Sequence, residues 1–126
     1  MTFDVINTPN APAAIGPYVQ ALSTGQILYT SGQIPLVPGE GEITGDITVQ
    51  TTQVFMNLKA VIEEAGATLD NVIKTTVFVT DLADFATVNG IYASFFGDHK
   101  PARSTVQVAA LPLGANVEIE AIVVLG

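Results

Sequence analysis

The clearest alternation in this 126-residue chain lies near its end. Val117, Ile119, Ala121, Val123 and Leu125 fall on one side of an extended segment, while Glu118 and Glu120 share the other side with Ile122 and Val124. That pattern predicts a strand with one apolar face and an opposite face that is acidic at one end only. Val72 to Thr80 is rich in β-branched residues and apolar on both parities, which predicts a central strand covered on two sides. A helical period governs the segment after Asp46, where Val54, Leu58, Val61, Ile62 and Ala65 fall on one face and Gln50, Gln53, Asn57 and Glu64 supply much of the polar remainder. Asp46 suits the cap, because its carboxylate can accept from the first free amides, and Gly66 suits the exit. A second helix is expected after Asp81 from Leu82, Phe85, Val88, Tyr92 and Phe95, although Asn89-Gly90 favours a turn and weakens the pattern.

Short β-rich segments open the chain at Asp4 to Ile6, Tyr18 to Ser23 and Ile27 to Ser31, with Thr24-Gly25 as a tight turn between the last two. Pro35 to Gly45 reads as a loop, and a further strand is expected near Ser104 to Val108. The predicted order is β-β-β-α-β-α-β-β in one α+β domain spanning residues 1–126, with both helices on one face of the sheet.

Composition adds a demand for cover on the other face. Only 13% of residues are charged while 48% are hydrophobic, and mean hydropathy is +0.46, so a homo-oligomer that hides part of the apolar surface is expected. The formal charge of −8 makes nucleic acid an unlikely partner, because the basic residues Lys59, Lys74, Lys100 and Arg103 form no cluster in sequence. Without cysteine there are no disulfides, thiolate nucleophiles or thiolate metal sites. The first residues lack the pattern of a signal peptide, no apolar run approaches membrane-spanning length, and the cytoplasm is the expected compartment.

Arg103, the only arginine, carries the most pointed chemistry. A guanidinium grips a carboxylate through two parallel hydrogen bonds, and a strand carboxylate such as Glu118 could hold or activate water. On pattern alone Arg103 reads first as one half of a surface ion pair, and Tyr18 can be read as an amphipathic strand residue and Asn89 as a solvent-facing helix position. Glu118 and Glu120 could in principle pair as acid and base, but one functional and one supporting carboxylate is the simpler assignment. His99 sits in a polar loop beside Asp98 and Lys100 and reads as a solvated residue, and Ser31 lacks the nucleophile-elbow pattern. No metal site is expected, since oxygen ligands would have to suffice with a single histidine.

Six segments in order carry a family resemblance: Asn10 to Tyr18 (NAPAAIGPY), Thr30 to Pro35 (TSGQIP), Lys74 to Val79 (KTTVFV), Asp84 to Asn89 (DFATVN), Pro101 to Ser104 (PARS) and Val117 to Ala121 (VEIEA). Over essentially its whole length the chain resembles the reactive intermediate deaminase A (RidA) family, also called YjgF-like or L-PSP endoribonuclease-like. The resemblance implies a chorismate-mutase-like fold with a mixed sheet, and a homotrimer with clefts between subunits. It implies hydrolysis of 2-iminobutanoate, 2-iminopropanoate and their enamine tautomers to 2-keto acids and ammonia, without metal or organic cofactor. Carried over residue by residue, Arg103 would grip the substrate carboxylate, Glu118 would position water and Glu120 would support it. Tyr18, Ser31, Gly32 and Asn89 would complete the substrate site. The chain departs from the family pattern at Thr105, where several members have cysteine, and in a short loop from Gly97 to Lys100. Two other functions compete with deamination: capture of a small keto or amino acid as a sensor, and, less readily, RNA cleavage.

Overall fold

The computed structural model describes residues 2–126. Six strands form one sheet: β1 (Asp4–Ile6), β2 (Ala21–Ser23), β3 (Ile27–Thr30), β4 (Val72–Val79), β5 (Ala102–Gln107) and β6 (Val117–Val124). In space they run β1-β2-β3-β6-β4-β5. Only β4 and β5 pair in parallel, and the connection that parallel pairing demands is the helix between them. The two helices are α1 (Ile47–Glu64) and α2 (Phe85–Phe96). The expected element order and the mixed α+β architecture are therefore observed.

One face of the sheet is the core. Val117, Ile119, Ala121 and Val123 of β6 and Val77 and Val79 of β4 are buried beneath the helices, with Leu28 of β3 and Val54, Phe55, Leu58, Val61 and Ile62 of α1. Burying a side chain of this size contributes about 1.5–3 kcal/mol, so this layer dominates the stability of the domain. The opposite face carries Tyr29, Phe78, Val106, Ile122 and Val124, with Tyr29 50% exposed and Val106 41% exposed. A sheet face with this much exposed apolar side chain, even with Lys74, Glu118 and Glu120 on it, is unusual for an isolated domain.

Asp46 caps α1 as expected, its Oδ1 accepting from Val49 N at 3.0 Å, and Gly66 leaves the helix with φ of +86°. Gln50 and Asn57, however, belong to the buried side. Asn57 Nδ2 donates to Ile34 O and Leu36 O, and Gln50 clasps Asn116 through both ends of its amide. Irregular loops leave backbone groups unpaired, and a buried amide on a neighbouring helix satisfies them. Asp81 caps only a single 3-10 turn (Leu82–Asp84) before α2 begins. Leu82 and Phe85 are consequently exposed, and the buried stripe of α2 is Val88, Tyr92 and Phe96. Asn89-Gly90 stays helical. Strand β2 starts at Ala21 rather than Tyr18, and β5 begins two residues earlier than expected, at Ala102, because its ladder with β4 opens at Lys74 opposite Ala102. No helix among the described residues is long and apolar enough to cross a membrane.

Candidate active site

In β5, Arg103 lies opposite Thr75 of β4, and Thr75 lies on the helix-covered face, so Arg103 projects toward α2. Its guanidinium carbon sits 4.8 Å from the Tyr92 ring centroid and 5.4 Å from that of Phe85. Nη1 donates to Asn89 Oδ1 at 2.7 Å. Phe85, Asn89 and Tyr92 occupy positions i, i+4 and i+7 of one helix and therefore share a face. Tyr92 is itself fixed, sharing a 2.8 Å hydrogen bond with Thr75 Oγ1. Burial raises its phenol above the ordinary value, against the smaller lowering effects of the Thr75 hydrogen bond and the Arg103 charge, so it stays neutral. The partner of Arg103 is thus a neutral amide on an aromatic seat, which leaves the full cationic charge and further N–H groups for an anion.

Glu118 belongs to the other face. Phe78 lies opposite Glu118 and Thr76 opposite Glu120, so both carboxylates project from the open side of the sheet. Glu118 is half-buried, and its carboxyl is held above the usual carboxylate range chiefly by that burial and secondarily by the charge of Glu120. Gly32 packs directly against it, and a Cβ at Gly32 would strike the Glu118 carboxylate. This close approach is a clear reason for glycine here. Ser31 Oγ donates to Val19 O at 2.6 Å, which ties the strand end to the preceding loop. Gln20 anchors that loop too, accepting from Thr8 N at 2.7 Å and donating to Thr8 O at 3.0 Å and Pro12 O at 2.9 Å. Tyr18, 53% exposed, lines a cavity of about 300 Å³ together with Ile15, Gln20, Gly32 and Leu113.

Two half-sites result. Arg103 and Asn89 meet, and Gly32 and Glu118 meet, with Tyr18 sharing a cavity with Gly32; the sheet separates the first group from the second within one chain. Phe85, Tyr92 and Thr75 are the contributors that sequence reading missed. The helical spacing assigned Tyr92 to the core, but a buried phenol needs a polar partner, and that requirement was the available signal. His99 is not solvated: it is half-buried against Phe96, and its Nε2 bonds Val72 O at 2.6 Å beside the register shift between Val72 and Lys74. Thr105 Oγ1 is buried without a hydrogen-bond partner among the described residues. No cluster of three or more metal-binding side chains occurs among the described residues.

Known proteins resemble the chain closely in sequence and fold. The sequence model of the endoribonuclease L-PSP family matches residues 8–125. A RutC family protein of Pasteurella multocida is 55% identical over 124 residues, covering 95% of this chain and 96% of the relative. A 2-iminobutanoate/2-iminopropanoate deaminase of Escherichia coli K12 is 53% identical over 122 residues, covering 94% and 95%. The crystal structure of Escherichia coli TdcF with bound serine superposes with a TM-score of 0.93 at 48% identity, covering 98% of this chain and 99% of that one.

Proposed function

The chain belongs to the endoribonuclease L-PSP (YjgF/RidA) family, and from that premise we propose that it hydrolyses 2-iminobutanoate and 2-iminopropanoate to 2-keto acids and ammonia. The observation that carries the reading is the seat of Arg103, a fork held by Asn89 and two aromatic rings with no carboxylate among the described residues paired to it. Arg103 takes the substrate carboxylate in two parallel hydrogen bonds and so fixes the position of C2. Water held at Glu118 adds to C2 of the imine, its oxygen forming the new C–O bond while Glu118 takes up its proton. Within one chain, burial and the Glu120 charge raise the affinity of Glu118 for a proton, which suits a base, and a guanidinium brought up by a second copy would act against them. The carbinolamine then releases ammonia as the C–N bond breaks, with protons redistributed through Glu118 and solvent, and the keto acid leaves. Glu120 supports Glu118, Tyr18 and Gly32 bound the substrate space, and Ser31 sets the strand end. No residue in this scheme requires a cofactor.

A site of this kind needs both half-sites, and they lie on opposite faces of the sheet in one chain. The separation supports a homotrimer in which Arg103 and Asn89 of one copy face Glu118, Gly32 and Tyr18 of the next, and the apolar open face supports burial between copies. Binding of serine by TdcF favours a second reading, capture of a small amino or keto acid without turnover. The deciding experiment adds the protein to a dehydratase that generates 2-aminocrotonate, with semicarbazide to trap free imine. Keto-acid recovery with wild type and none with Arg103→Ala is expected; no recovery with either would leave capture as the better reading.

A further inference from the structure

The charge of −8 comes from 12 acidic residues against four lysines and arginines, with one histidine. Two of the four cations and that histidine nevertheless line a single cavity. It lies between α2 and the segment entering β5, measures about 420 Å³, and is bounded by Asn89, Tyr92, His99, Lys100 and Arg103, with no carboxylate among its lining residues. In a chain this acidic, a concave region whose charged lining residues are Lys100 and Arg103, with Asp98 adjoining it in sequence but outside the lining, gathers positive potential where most of the surface repels anions.

Part of its wall is fixed. Arg103 is tied to Asn89 at 2.7 Å, and His99 bonds Val72 O at 2.6 Å. Gly97 turns the chain with φ of +64° and Pro101 stiffens its return, so Lys100 is carried on a short, constrained connection beside Arg103. A ligand with one carboxylate engages Arg103 and leaves Lys100 without a counterion. The cavity also exceeds what a four-carbon acid fills, since 420 Å³ falls within the range that holds considerably larger ligands.

We infer that this cavity is an anion subsite extending from Arg103, and that it favours dicarboxylic 2-imino acids and their 2-oxo products, with Arg103 on the α-carboxylate and Lys100 on the distal one. The inference rests on the assignment of Arg103 as the carboxylate grip, and the reaction is the same hydrolysis. It concerns the side chain of the substrate, which the family relationship leaves open.

Calorimetric titration of wild type with 2-oxoglutarate and with 2-oxobutanoate tests it without needing turnover. One partly solvated ion pair predicts about two- to fivefold tighter binding of 2-oxoglutarate. Lys100→Ala should abolish that ratio and Lys100→Glu invert it, while Lys59→Ala, which removes the same charge from α1, should preserve it. Equal affinities in wild type, or a ratio unchanged by Lys100→Ala, would overturn the subsite. Turnover of 2-iminobutanoate and of 2-iminoglutarate, followed in parallel, separates the two ideas. Hydrolysis without a dicarboxylate preference removes the subsite alone, and a preference without hydrolysis of either imine removes the deaminase reading alone.

Discussion

The helix-side and sheet-side halves of the site are built on opposite principles. Around Arg103 every contact holds a charge in place: Asn89 takes one nitrogen, Phe85 and Tyr92 face the guanidinium, and Thr75 fixes Tyr92. Around Glu118 the chain supplies burial, a second carboxylate and a glycine that leaves it room, and both burial and the Glu120 charge disfavour the ionised form. One half is a positioned cation with N–H groups left for an anion, the other a carboxyl whose surroundings favour its protonated form. The difference bears directly on the proposal that the two halves meet between copies, since each supplies what the other lacks.

The comparison breaks most severely at Arg103. Arg103→Lys keeps the charge but loses the planar fork and its fit over the rings, and about a 100-fold fall in kcat/KM is expected by steady-state assay. A fall below threefold would show that the fork is not used. The sheet-side half should break at Gly32 instead. Gly32→Ala places a methyl against the Glu118 carboxylate, and about a tenfold loss in kcat with little change in KM is expected, because the water position moves while the arginine grip does not.

A smaller effect sharpens the contrast through pH. Because the Glu118 carboxyl in the fold titrates above its ordinary value of 4.5, its contribution to stability is fully present below that value and is lost as pH rises through the raised one. Glu118→Gln should therefore raise Tm at pH 7 and give a vanishing difference near pH 4. If the guanidinium of a second copy faces Glu118, the gain at pH 7 will be larger in an Arg103→Ala background than in wild type. Equal gains in the two backgrounds would separate the residues energetically.

Much of this fold was legible because its elements carry strong, independent signals. The Asp46 cap, the Gly66 exit and the apolar side of β6 each follow from local chemistry. The face of Arg103 did not, because Ala102 to Gln107 has no alternation that would orient it, and only the parallel register of Thr75 with Arg103 decides. His99 misled for a related reason: its partner is a backbone carbonyl beside a register shift, which leaves no mark in the side-chain pattern. The buried amides of Gln50 and Asn57 likewise answer to loops distant in sequence. Residues that would act in the site were readable by type and by family resemblance, whereas their separation across the sheet required the pairing of strands.

Subunit mixing tests the composite site most directly. Arg103→Ala and Glu118→Gln proteins, each inactive alone, are unfolded together in equal amounts, refolded, and assayed for imine hydrolysis. If each site draws Arg103 from one copy and Glu118 from another, random assembly gives both intact groups at about one quarter of the sites, and about a quarter of wild-type activity should return. Mixtures that stay as inactive as their parents, despite exchange of subunits verified by mass, would contradict the account.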